Sequence, residues 1–146
     1  MKSVRMIWDF EKSLMRRLAL WAVLSMVAGV VLILFGNPFW QGFGIQLLAW
    51  GAVDGIIVWL GQRRVKQNLM DEAVDQNDVR EASRIRKILW INTALDVLYI
   101  AGGVVIIFTL GSTSAFWQGT GWGIILQAAF LFVFDLWHAR HVPNPT

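Results

Sequence analysis

Four runs of about twenty apolar residues, none interrupted by a Lys or an Arg, constrain this chain more than any other feature in it. They extend from Leu18 to Gly36, Phe39 to Leu60, Ile88 to Leu110 and Phe116 to Trp137. A helix rises about 1.5 Å per residue, so about twenty residues cross the roughly 30 Å hydrocarbon core of a bilayer. Inside that core each backbone N–H and C=O must find its partner within the protein, and for isolated runs of this length a helix provides the partners. With 56% hydrophobic and only 16% charged residues, lipid is the natural solvent. The expected fold class is therefore all-α, a four-helix transmembrane bundle.

The thirteen Lys and Arg residues set the expected orientation. They fall before the first run (Lys2, Arg5, Lys12, Arg16, Arg17), between the second and third (Arg63 to Lys87), and after the fourth (Arg140). The opposite connections, Gly36-Asn37-Pro38 and Gly111-Ser112-Thr113-Ser114-Ala115, carry no charge. Under the positive-inside rule, this asymmetry places both termini and the central connection in the cytoplasm of a cell, with the chain multi-pass in the cell membrane and of prokaryotic inner-membrane type. Asp9 and Glu11 precede the first run, which lacks a small-residue cleavage pattern, so it reads as a retained helix and not a leader. Acids interleave with the bases outside the runs, which argues against nucleic acid as a partner.

Around these runs the chain divides into an amphipathic cytoplasmic segment (1–17), a first transmembrane hairpin (18–61), a charged helical connection (62–87), a second transmembrane hairpin (88–137) and a cytoplasmic tail (138–146). In the first segment Val4, Ile7, Trp8, Leu14 and Met15 recur at helical spacing, which suits a helix anchored at the membrane surface. Val65, Leu69 and Ala73 continue a stripe beyond the second run, and Val79, Ala82, Ile85 and Leu89 begin one that leads into the third. Helices two and three are thus expected to extend into a short cytoplasmic helical hairpin. Its turn would be Asp75-Gln76-Asn77-Asp78, with Asp78 and Glu81 at capping-box spacing. Trp21, Trp59, Trp90 and Trp137 at one end and Trp40, Trp117 and Trp122 at the other suit interfacial belts. Trp50 falls in mid-span, where its indole N–H needs an acceptor.

An internal repeat is also legible. Phe39-Trp40-Gln41-Gly42 recurs as Phe116-Trp117-Gln118-Gly119, each at the start of the second helix of a hairpin. Gly42, Gln46 and Asp54 share their spacing with Gly123, Gln127 and Asp135, one helical turn out of that register. Two parallel two-helix repeats, related by a twofold axis along the membrane normal, are the expected arrangement. Gly51-x-x-x-Gly55, Gly119-x-x-x-Gly123 and Ala101-Gly102-Gly103 supply small residues for close helix contacts.

Three acids lie within the runs: Asp54, Asp96 and Asp135. A charged side chain in mid-membrane costs roughly 2.5 to 3.5 kcal/mol on insertion scales, so each must be satisfied or serve a purpose. Asn92, Asp96, Tyr99 and Gly103 share one helical stripe, and Gln46, Trp50 and Asp54 another. These residues form a candidate ion-binding or buried polar cluster: Asp54, Asp96, Asn92, Tyr99, Gln46 and Trp50. Gln127 and Asp135 form a secondary polar pair. No Lys, Arg or His inside the runs can act as counter-ion, so Asp54 and Asp96, if close together, would share a proton tightly, as a proton or cation carrier requires.

No phosphate-binding loop, paired Ser and His, or cysteine is present, and His138 and His141 have no companion ligands. Neither catalysis nor a metal or other cofactor is expected. The segment Ile88-Leu89-Trp90-Ile91-Asn92-Thr93-Ala94-Leu95-Asp96-Val97-Leu98-Tyr99, followed by Gly102-Gly103, together with Trp50-Gly51-Ala52-Val53-Asp54-Gly55, resembles an uncharacterised prokaryotic family of small four-helix integral membrane proteins, over residues 16 to 140. That resemblance implies no activity, only that Asn92, Asp96, Tyr99 and Asp54 belong to the family's pattern. Small multidrug transporters have a similar size, but their essential Glu lies in the first helix, where this chain has only Ser25 as a polar candidate.

Two functions fit the sequence. The favoured one is a non-catalytic structural or partner-binding membrane subunit, with the lipid bilayer and a second copy or another membrane protein as its partners. The alternative is a small proton- or cation-coupled transporter using Asp54 and Asp96. They differ in whether the two carboxyls border a cavity or sit in a dry, hydrogen-bonded core.

Overall fold

The computed structural model describes residues 2–70 and 78–144. Four helices follow in order: α1 (Lys2–Phe35), α2 (Pro38–Met70), α3 (Asp78–Phe108) and α4 (Ala115–His141), with a short 3-10 turn at Leu110–Ser112. Each of the four contains a stretch long and apolar enough to cross a membrane. The expected turn Asp75-Gln76-Asn77, and the stripe position Ala73, lie outside the described residues, as do the side chains of Leu69 and Asp78.

Local chemistry explains where the helices begin. Asn37 precedes Pro38, whose fixed φ and missing N–H suit a first helical position, and its Oδ1 accepts from the Trp40 N–H at 3.2 Å. Ser114 caps α4 in the same way, its hydroxyl accepting from the Trp117 N–H at 3.5 Å. Both caps thus close on the Trp of a Phe-Trp-Gln-Gly motif.

α1 packs along α2, α3 along α4, and α2 along α4, while α1 and α3 scarcely touch. Glycines allow these approaches. A Cβ added at Gly29 would lie 2.7 Å from the Gly44 carbonyl oxygen, and one at Gly44 2.8 Å from that of Gly29. Gly103 and Gly121 relate α3 to α4 in the same reciprocal way, at 2.9 and 2.8 Å. Between α2 and α4, Gly42 faces the Phe116 carbonyl and Gly119 that of Phe39, each too close for any side chain. Lipid tails are as apolar as the side chains they meet, so van der Waals fit of this kind must hold the helices together. Of the expected small-residue contacts, Gly51, Gly103, Gly119 and Gly123 lie at close approaches, whereas Gly55 and Gly102 face open space.

At about 1.5 Å per residue, the 34 residues of α1 extend about 50 Å, well beyond a roughly 30 Å hydrocarbon core. The excess lies at the end that carries the charges. There Ile7, Trp8, Leu14 and Leu18 of α1 pack with Val65 of α2, Ala82 of α3 and Ala139 of α4 in the protein's buried apolar cluster. The first turns of α1 are therefore continuous with its apolar run, and Ile7, Trp8 and Leu14 of the expected stripe are buried against protein instead of lying apart on a surface, while the side chain of Val4 lies outside the described residues. The ends of the four helices can shield one another's apolar faces from water, and that burial fixes their course.

Candidate functional site

Across the α1–α4 and α2–α3 gaps the backbones stand further apart, and the two gaps are closed differently. Between α1 and α4, Trp21 Nε1 donates to Gln127 Oε1 at 2.9 Å, and Gln127 Nε2 donates to Ser25 Oγ at 3.1 Å. The Trp21 ring stacks on Phe130 at 3.6 Å between centroids. Gln127 has no exposed surface at all. This gap is filled, and its buried amide is satisfied.

Between α2 and α3, Trp50 meets Tyr99 edge to face at 4.9 Å. Beyond this pair, toward the charged end, lies a cavity of about 440 Å³. Asp54 follows Trp50 by one turn on α2, Asp96 precedes Tyr99 by one turn on α3, and Asp135 joins from α4, so all three acids of the apolar runs line it. They lie near enough for Asp96 to act electrostatically on Asp54 and for both to act on Asp135, which Asn92 faces. Asp54 and Asp96 are 2% and 3% exposed, and Oδ2 of each has no hydrogen-bond partner among the described residues. A buried acceptor left unpaired costs about 1 to 3 kcal/mol and more if charged, so two of them bordering one cavity mark a place where a partner is wanted.

The cavity has two further boundaries. Laterally its rim is apolar and exposed, formed by Val53, Ile57 and Leu60 of α2 and by Ile88 and Leu95 of α3. At the charged end it is bordered by Glu11, Arg64 and Arg84. Arg64 pairs with Glu81 across α2 and α3, and Arg84 Nη1 lies 3.6 Å from the other Glu81 oxygen. Glu11 lies in the part of α1 that projects beyond the apolar run. Burial, and secondarily the nearby Glu81 charge, raise its carboxyl to about 7 against the opposing pull of Arg64.

Of the residues singled out from sequence, Asp54, Asp96, Asn92, Tyr99 and Trp50 line this one cavity. Gln46 does not line it; its side chain covers Gly123 at the α2–α4 contact. Gln127 and Asp135 part company, Gln127 entering the filled gap and Asp135 the open one. Trp21, assigned to an interfacial belt by its position, is instead a hydrogen-bond donor within the protein. Glu11 is a further lining residue, on a signal the sequence does carry: Ile7, Glu11, Leu14 and Leu18 recur at helical spacing and so set an acid on a buried stripe. His138 is explained without a ligand: one ring nitrogen is 2.7 Å from the Phe134 carbonyl oxygen and the other 3.4 Å from Arg17, tying α4 to α1.

A family model described as a family of unknown function, DUF6992, matches residues 17–136. Neither the curated proteins nor the solved structures yield a match.

Proposed function

Because the chain belongs to the DUF6992 family, which brings no established function with it, we propose from the site itself that this is a multi-pass membrane protein that binds a cation, or takes up a proton, at Asp54, Asp96 and Asp135 within the bilayer. One observation carries the proposal: Asp54 Oδ2 and Asp96 Oδ2 are buried beside a cavity and unpartnered among the described residues. Acids serving as packing glue would instead resemble Gln127, which is enclosed and bonded to both Trp21 and Ser25. Sequence favours a partner-binding subunit, and the cavity is what supports the alternative here. A cation entering among these carboxyls would displace a proton from them, which is the elementary step of coupled exchange. The charge asymmetry supports a cytoplasmic location for both termini and for the charged end of the cavity.

We read the two hairpins as an internal duplication, in which the filled gap and the open gap are counterparts. In the register that pairs Phe39, Gly42 and Gly44 with Phe116, Gly119 and Gly121, the reciprocal glycine contacts and the two helix caps fall at corresponding positions. The same register matches Trp50 to Gln127, and the α1–α3 counterpart set by Gly29 and Gly103 matches Ser25 to Tyr99. The filled gap and the open gap are then counterparts, with Leu131 and Ala22 standing where the open side has Asp54 and Asp96. The second sequence register, one turn away, does not reproduce these contacts.

The test uses purified protein in liposomes loaded with a pH-sensitive dye, under an imposed membrane potential. Proton flux in the wild type that disappears in the folded Asp54→Asn, Asp96→Asn double variant supports a carboxyl-dependent pathway. Equal flux in both proteins sinks it. If neither conducts, proton release on adding a cation to the detergent-solubilised protein is the deciding measurement, and its absence returns the acids to a structural role.

A further inference from the structure

Resting on that reading, we infer that the ligand is a lipophilic organic cation which enters sideways from the bilayer through the cleft between α2 and α3. The volume separates it from smaller ligands. About 440 Å³ falls within the 300 to 1,000 Å³ typical of small-molecule sites, whereas a proton or a dehydrated metal ion needs no such space. The walls separate it from polar ligands. Ile57, Ile88, Leu95, Leu131 and Phe134 provide hydrocarbon, not the six to eight oxygens that a hard cation such as calcium requires.

The inner end selects the sign of charge. Asp54, Asp96 and Asp135 oppose an anion, and the Trp50 and Tyr99 rings, 4.9 Å apart and both lining the cavity, offer π faces and edges suited to a delocalised or alkylated cation. The rim selects the route. Val53, Ile57 and Leu60 on one side and Ile88 and Leu95 on the other are exposed, so the cavity is open between two helices along their lipid-facing flank. The charged end is bridged by the Arg64–Glu81 pair and by Arg84, an ion-paired boundary that a lipophilic ligand would have to desolvate to pass. An apolar portal above an acidic floor fits a ligand that first dissolves in lipid and carries its positive charge with it.

The experiment measures binding of radiolabelled tetraphenylphosphonium to the full chain in nanodiscs of phosphatidylglycerol, which supplies no cationic headgroup. Tetraphenylborate, of the same shape and opposite charge, serves as control. Saturable binding of the phosphonium alone is expected, weakened about tenfold or more in Asp54→Asn, Asp96→Asn. Trp50→Leu and Leu95→Trp, which remove the aromatic face and fill the cavity, should each weaken it as well, and they test the site even if the acid variant fails to fold. Trp21→Phe, in the opposite gap, should leave it unchanged. Binding of the phosphonium no tighter than of the borate, or indifferent to the Trp50 and Leu95 variants, overturns the inference. Should protons still flow through Asp54 and Asp96 while the phosphonium does not bind, the ligand class falls and the cation site stands. Competition by added phosphatidylethanolamine would identify a lipid amine, in place of a free organic cation, as the natural occupant and overturn the inference in that form.

Discussion

Gly119 of α4 rests on the Phe39 carbonyl of α2, with no space between them for a side chain. The same relation holds in reverse between Gly42 and Phe116, so the contact between the two hairpins is locked at two points by backbone alone. Gly119→Ala must then push α2 and α4 apart, at a cost of about 1 to 3 kcal/mol or more for a backbone shift in a packed interface. Gly55→Ala meets nothing and should be neutral or slightly stabilising, because alanine is the better helix former. Thermal unfolding in one detergent distinguishes the two. Equal midpoints would mean that these helices are held together by something other than close backbone packing.

Gln127 and Asp54 offer a second contrast, between a satisfied buried group and an unsatisfied one. Gln127→Leu leaves the Trp21 N–H without its acceptor and removes the bond to Ser25, which should destabilise the protein by about 1 to 3 kcal/mol. Asp54→Leu removes a carboxyl with an unpartnered oxygen and adds apolar volume beside a cavity, so its unfolding midpoint should rise. Ligand or proton binding should fall in the same variant. A drop in midpoint as large as that of Gln127→Leu would identify Asp54 as packing glue.

The four spans were legible because apolar length is a property of each segment alone. So was the meeting of Asp54 and Trp50 with Asp96, Asn92 and Tyr99, since both sets recur at helical spacing and polar stripes in lipid turn toward protein. The separation of Gln127 from Asp135 was not, because both lie on α4 and only its rotation between α1 and α3 decides which gap each enters. The continuity of α1 escaped for a related reason. An amphipathic stripe requires an apolar neighbour without specifying whether lipid or protein provides it, and here the projecting ends of α2, α3 and α4 do. Trp21 shows the limit from the other side: its position near the end of a span is what an interfacial residue would have, and only Gln127 across the gap gives it another task.

Arg64 ties α2 to α3 through Glu81 at the charged end of the cavity, where Glu81 is 8% exposed and shares its surroundings with Glu11. Arg64→Ala should destabilise by about 1 to 3 kcal/mol, less than a fully buried pair would, because Arg64 is partly exposed. Most of that loss comes from leaving the buried Glu81 with only the longer contact to Arg84, so Arg64→Met combined with Glu81→Leu should recover much of it. A double-mutant cycle on unfolding midpoints measures the coupling. Strict additivity of the two single variants would show that the pair is incidental.

Glu11 gives the protein a stability that depends on pH in a defined direction. Its carboxyl ionises near 4.5 in the unfolded chain and near 7 in the folded one, so between these values the folded protein holds the extra proton. Stability therefore falls as pH rises through that interval. The contribution of neutral Glu11 is complete below about 4.5 and lost above about 7. Glu11→Gln keeps the neutral shape at every pH and should flatten the dependence. Its unfolding midpoint should lie several degrees above the wild type at pH 8 and close to it at pH 5. Arg64 bears on the size of the effect, since it lowers the folded value, and Arg64→Ala should shift the wild-type decline to higher pH. If the Glu11→Gln curve runs parallel to the wild type from pH 5 to 8, ionisation of Glu11 is not what the folded charged end resists, and Glu81 becomes the next residue to vary.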